Sequence, residues 1–249
     1  MRTSKFINSI NIDESWKPFL NRQEVIEELF KIEQRIGSNY TPPAPLVLRF
    51  ATTDLKTIKV IMIGKDPYPE KGIATGRSFE VNGVKDWNDK QVSRCSLRNI
   101  IKLLHKTYLG YEKAKGIKEI RKDIQSGKFP IPSPDQVFSY WERQGVLFLN
   151  TAFTCEIGKI GSHLNDWKCF FRMLLTYIVS TNKNIRFFLW GKESRKYSPF
   201  LTKLGVSPEY LYESTHPCNN RDDGDYQKGT NFLNNPCFKD TLHDINWTL

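Results

Sequence analysis

Three polar residues in this 249-residue chain stand at or just beyond the ends of apolar runs: Asp66, Asn150 and His216. Asp66 lies in Gly64-Lys65-Asp66-Pro67-Tyr68-Pro69, directly after Ile58-Lys59-Val60-Ile61-Met62-Ile63. Asn150 closes Val146-Leu147-Phe148-Leu149, and His216-Pro217 follows Tyr210-Leu211-Tyr212-Glu213-Ser214-Thr215. A carboxylate, an amide and an imidazole can together orient a water, read a polar edge and stabilise a developing anion. Two prolines fix φ and remove donors, so Asp66 and Tyr68 sit in a stiff turn. Taken singly, each residue also has a plain structural use: a turn acid, a strand-end amide, a His-Pro loop. Their joint placement favours a shared site.

The elements that would position them follow from the pattern. The three runs, with Ile185 to Gly191, have the composition of strands buried on both faces of a parallel sheet. Between them lie helical spacings. Val25, Leu29, Ile32 and Ile36 form one stripe, with Asn21 as its expected cap. Residues 92–108 form another, with Leu97, Ile100, Ile101 and Leu104 on one face. Further helices are expected over 46–50, in part of 110–128, and over 139–144, 167–179 and 193–204. This alternation predicts an α/β fold: a three-layer sandwich with a central, mainly parallel four-stranded sheet flanked by helices, in a single domain over 1–249. The carboxyl ends of parallel strands share one edge, where ligands bind in open α/β sheets.

Composition narrows the class. A hydrophobic fraction of 39% and an aromatic fraction of 13% describe a globular chain and exclude a disordered one. A formal net charge of +10 suits a polyanionic partner such as nucleic acid, against the plainer reading of a solubilising surface. Much of the excess lies between Arg94 and Lys128, where a phosphate-attracting surface and a solvated helix face are equal readings. Five scattered cysteines without Cys-x-x-Cys spacing argue against zinc or iron–sulfur sites and for free thiols in a reducing, cytoplasmic setting. No metal or other cofactor is expected. No signal-peptide core or apolar run of membrane-spanning length is present, and nothing requires more than a monomer.

The loop Gly64-Lys65-Asp66-Pro67-Tyr68-Pro69 resembles the water-activating loop of the family 1 uracil-DNA glycosylases, Gly-Gln-Asp-Pro-Tyr-His. The resemblance runs from about Trp16 to Trp247. Gln144-Gly145-Val146-Leu147-Phe148-Leu149-Asn150 is similar to the family's Gln-Gly-Val-Leu-Leu-Leu-Asn, and Ser96-Leu97-Arg98-Asn99-Ile100 to its Ser-Leu-Lys-Asn-Ile. Ser162-His163, Trp167, Leu189-Trp190-Gly191, His216-Pro217 and Ile245-Asn246-Trp247 fall in the family's order.

The resemblance implies hydrolysis of the N-glycosidic bond of deoxyuridine in DNA after base flipping. Asp66 would orient the water and stabilise the cationic sugar, and a neutral His216 would donate to uracil O2. Phe79 would be the stacking platform, Asn150 would read the Watson–Crick edge, and Tyr68 would exclude the thymine methyl. Core packing is the plain alternative for Phe79 and Tyr68. Ser96 and Ser162 would grip phosphates. The implied partners are uracil-containing DNA, single- or double-stranded, and an acidic DNA-mimicking inhibitor protein.

Four departures stand out. Lys65 replaces the glutamine of the uracil-binding set, and Pro69 replaces the histidine. Val92-Ser93-Arg94-Cys95 stands where the family has a proline-rich run. The minor-groove loop reads His216-Pro217-Cys218-Asn219-Asn220-Arg221, so Cys218 replaces a phosphate-binding serine and Asn220 an apolar wedge. In the DNA-binding set Pro217 keeps the family's residue, Cys218 and Asn220 depart from it, and Arg221 follows. Weaker extrusion from duplex DNA, and a preference for single strands, is expected. The rival readings are a catalytically weak or inactive DNA-binding relative, and a partner- or inhibitor-binding module.

Overall fold

The structure is a computed structural model that describes residues 4–93, 95–218 and 231–249. Four parallel strands form its centre: β1 (Val60–Gly64), β2 (Val146–Asn150), β3 (Arg186–Trp190) and β4 (Leu211–Ser214), in the spatial order β2-β1-β3-β4. Every residue of β1 and β2 is buried, as expected of strands covered on both faces. Gly64 pairs with Asn150 across the ladder, so β1 and β2 end level.

Successive side chains on a strand point to opposite faces, and two cores result. Ile61, Ile63, Leu147, Leu149, Phe187 and Leu189 pack with helices α1 (Gln23–Ile36) and α5 (Leu164–Thr181). Val60, Met62, Val146, Phe148, Phe188 and Trp190 pack with α2 (Cys95–Tyr108), α3 (Ile117–Gln125) and α4 (Pro134–Glu142). The expected three-layer α/β sandwich is thus observed. The C-terminal segment closes the second core: Trp247 is buried, and its carbonyl accepts a hydrogen bond from Trp141 Nε1 at 3.1 Å.

Several boundaries differ from the sequence reading. Arg22, not Asn21, is the N-cap of α1, and its side chain makes no capping bond. Helix α2 starts at Cys95, because Lys90–Ser93 forms a separate 3-10 turn. Helix α4 starts at Pro134 rather than Ser139, since proline suits the first helical turn, where its missing N–H costs nothing. Residues 193–204 form two pieces, Lys192–Arg195 and Ser198–Lys203, where Ser198-Pro199 opens the second.

Three cations of the basic stretch 94–128 are engaged within the fold. Lys106 Nζ donates to Leu233 O and Asn234 Oδ1, both at 3.0 Å. Arg121 donates to the carbonyls of Trp87 and Asp89 at 2.7 and 3.2 Å. Lys128 Nζ donates to the Tyr111 hydroxyl at 2.9 Å. Lys106 and Arg121 tie loops to α2 and α3, and Lys128 joins two loop segments, which favours the plain reading at those positions; Arg94 lies outside the described residues. Among the described residues, no helix is long and apolar enough to cross a membrane.

Candidate active site at the carboxyl edge of the sheet

A cavity of about 220 Å³ opens at the carboxyl ends of the strands, with Lys65, Asp66, Tyr68, Phe79, Ser96, Asn150, His216 and Cys218 in its walls. Backbone bonds between the ends of β1 and its edge neighbour β2 fix the loop that carries Asp66. Thr151 N donates to Gly64 O at 3.0 Å, and Ala152 N to Lys65 O at 3.1 Å. Thr151 Oγ1 adds a 2.7 Å bond to Lys65 O. The Asp66 carboxylate accepts a hydrogen bond from the Gly161 N–H.

Electrostatics separate the two ionisable groups. Burial pushes the Asp66 carboxyl above its ordinary range; the Gly161 N–H and the Lys65 cation oppose this, and Glu193 reinforces it. Burial lowers the His216 imidazole, and Lys65 lowers it further. The Cys218 N–H donates to His216 Nδ1 at 3.1 Å, so the hydrogen of the neutral ring lies on Nε2. Cys155, behind the loop, donates to Pro67 O at 3.4 Å, and burial raises its thiol to about 12, so it is no nucleophile here.

Asn150, the last residue of β2, is 4% exposed, and its Oδ1 is buried with no hydrogen-bond partner among the described residues. Such an atom costs free energy unless a ligand donor meets it.

Phe79 has φ +66°, the only positive φ of a non-glycine residue among those described. Its ring lies 5.5 Å from Trp190 and 6.4 Å from His216, centroid to centroid. That backbone is strained, and its neighbours hold it. Ser78 Oγ donates to Met62 O at 3.1 Å. Arg77 bonds Glu80 at 2.9 Å, Ser139 Oγ at 3.1 Å and the Glu142 carboxylate. Sequence reading missed this cluster, because Arg77 and Glu142 are distant in the chain and nothing local pairs them. Arg77→Met would leave the buried Glu80 carboxylate and the partly buried Glu142 carboxylate without their shared partner. It is expected to cost about 3–5 kcal/mol, measured by urea denaturation.

Ser96 Oγ and Cys218 Sγ meet at 3.2 Å, and the Asn99 amide donates to Pro217 O, so the two phosphate-loop candidates converge. Ser162 does not join them. It is not part of the cavity wall, and its Oγ accepts from Glu156 N at 2.7 Å, bracing the turn before it. Asn220 and Arg221 lie outside the described residues. Among the described residues, no group of three or more His, Cys, Asp or Glu side chains could hold a metal ion.

Fold and cavity define the class first: an α/β protein with a carboxylate, an imidazole, an amide and an aromatic floor around one small site at the sheet edge. No protein-family model matches the chain. A uracil-DNA glycosylase of Psychromonas ingrahamii is 31% identical over 212 residues, covering 82% of this chain and 85% of that protein. One of Borreliella burgdorferi is 30% identical over 245 residues, covering 94% and 93%. The wild-type UNG crystal structure from Nitratifractor salsuginis superposes with a TM-score of 0.67 at 23% identity, covering 86% of this chain and 88% of that one. A mimivirus UNG variant in complex with UGI gives 0.60 at 22% identity, covering 85% and 72%. The chain belongs to the uracil-DNA glycosylase family.

Proposed function

We propose that this chain is a monofunctional uracil-DNA glycosylase of the family 1 type, acting as a single domain and a monomer. It hydrolyses the N-glycosidic bond of deoxyuridine in DNA and so initiates base excision repair. The observation that carries the reading is the unpartnered, buried Oδ1 of Asn150 in the same cavity as Asp66, Phe79 and His216. Uracil presents an N3–H to that oxygen and an O4 to the amide nitrogen; cytosine presents the reverse pattern.

The chemistry follows from the surroundings. With uracil on Phe79, the ionised Asp66 faces the sugar side, orients the water and offsets the positive charge that develops at C1′. His216, neutral, donates from Nε2 to uracil O2 as the leaving base gains charge; an ionised imidazole there would be disfavoured by Lys65. Tyr68, between two prolines, stands against C5 and excludes a methyl group. Lys65 borders the uracil site and sets the field at both ionisable groups. Ser96 and Cys218, which meet at 3.2 Å, hold a backbone phosphate, with Pro217 beside them.

Single-stranded DNA is the preferred substrate, because opening a stack costs least there and the minor-groove loop sequence lacks the aliphatic wedge. An acidic DNA-mimicking inhibitor fits the same surface; the mimivirus relative's structure with UGI supports the analogy. The test is uracil release from one oligonucleotide carrying a single deoxyuridine, single-stranded and paired. Faster release from the single strand is expected. Equal rates would refute the strand preference, and no release from either at high enzyme concentration would refute the activity.

A further inference from the structure

Ile160 is 66% exposed, yet it lines the mouth of the cavity that contains Asp66 and Asn150. The other strongly exposed large hydrophobic side chains among the described residues, Tyr108, Leu242 and Leu249, are not part of that wall. A single exposed aliphatic residue needs no explanation on an ordinary surface. This one differs because of how it is held.

The turn Glu156-Ile157-Gly158-Lys159-Ile160-Gly161 is braced from both sides. Glu156 and Lys159 form a bridge, and Lys159 N donates to Glu156 O at 2.9 Å. Gly158 N donates to Pro69 O at 3.0 Å, which ties the turn to the far end of the Asp66 loop. Gly161, at φ +76°, supplies the left-handed backbone after Ile160 and gives its N–H to the Asp66 carboxylate. The turn therefore presents a β-branched side chain, stiff at χ1, toward solvent at a fixed place beside the catalytic carboxylate.

Proteins that open or kink a duplex frequently insert an apolar side chain between base steps, and isoleucine is among the types used. From Asn219 to Thr230 this sequence offers no aliphatic side chain. We propose that Ile160 is the wedge residue, entering the base stack of duplex DNA from the turn beside Asp66 as the uracil leaves it. The proposal rests on the glycosylase reading. It assigns duplex opening to the 156–161 turn and not to the segment after His216, which offers no aliphatic residue from Asn219 to Thr230.

The experiment compares Ile160→Ala and Ile160→Leu with the unchanged protein in single-turnover excision, on one deoxyuridine strand alone and paired with its complement. A 2-aminopurine next to the uridine reports unstacking on binding. Ile160→Ala is expected to slow duplex excision about tenfold, the order expected from losing a partly buried aliphatic contact. Its effect on the single strand should be within about twofold, because no stack has to be opened there. Ile160→Leu should restore the duplex rate. Equal slowing on both substrates would mean that Ile160 only shapes the turn and Asp66, and would overturn the proposal. So would an unaltered duplex rate. If the unchanged protein released no uracil at all, the glycosylase reading would fail separately. The 2-aminopurine signal would then decide the wedge: a smaller signal with Ile160→Ala supports it, and an equal one overturns it.

Discussion

Asp66→Asn is expected to lower single-turnover uracil excision about a thousandfold, the range for losing a positioned base and its charge together, while making the folded protein more stable at neutral pH. The two effects share one cause. Burial raises the Asp66 carboxyl above its ordinary value of 3.8, so the folded state holds that proton more tightly than the unfolded chain does. Above 3.8 the unfolded chain releases it first, and ionising it in the fold costs free energy. Stability therefore falls as pH rises from the unfolded value through the folded one, and stays lower beyond. Asparagine removes that cost and can still accept from the Gly161 N–H. Thermal unfolding should show Asp66→Asn above the unchanged protein at pH 7, with the gap closing at strongly acid pH. An enzyme that kept its rate, or lost stability, would show that Asp66 is an ordinary turn acid.

The same field gives a pH profile. On the proposed mechanism activity needs the ionised carboxylate, so the rate is expected to climb with pH through the raised Asp66 value. Lys65 and the Gly161 N–H lower that value, and Glu193 raises it. Lys65 also helps to keep His216 neutral. Lys65 thus favours the ionised carboxylate and the neutral imidazole together, the two forms the proposed mechanism uses.

What could be read from sequence was mainly what backbone chemistry controls. The four apolar runs became the four sheet strands, and Asp66, Asn150 and His216 met at one edge because parallel strands end together. Helix limits moved where local rules compete: Pro134 opened α4 early, and Asn21, a good cap by type, lost the position to Arg22. The Arg77 cluster was illegible because Glu142 comes from another layer. The basic run 94–128 left two equal readings because charge alone cannot distinguish a cation facing phosphate from one tying down a carbonyl, as Arg121 does. Ile160 was hidden for a different reason: one isoleucine in a polar turn carries no periodic signal, and its meaning comes from exposure beside the site.

Gly64→Ala should cost kcat/KM on uracil DNA about a hundredfold or more, comparable with Asn150→Ala, although Gly64 does no chemistry. A Cβ built on Gly64 would lie 2.4 Å from Asn150 Oδ1 and 2.8 Å from Ser78 Cβ. The strand cannot move aside, because β1 is hydrogen-bonded to β2 and β3 on its two edges. Ser78 is held by its bond to Met62 O and carries the strained Phe79 beside it. The Asn150 amide must therefore rotate out of the position in which it would accept from N3–H. Recognition fails in the same way as when the amide is deleted, since uracil's polar edge then meets a buried site without partners. The decisive comparison is the double variant. If Gly64 acts through Asn150, then Gly64→Ala with Asn150→Ala should excise no more slowly than Asn150→Ala alone, a large departure from additivity. The double variant should also recover stability relative to Gly64→Ala, because the shorter side chain makes room for the methyl group. Additive losses would show that Gly64 serves the loop backbone and not the amide.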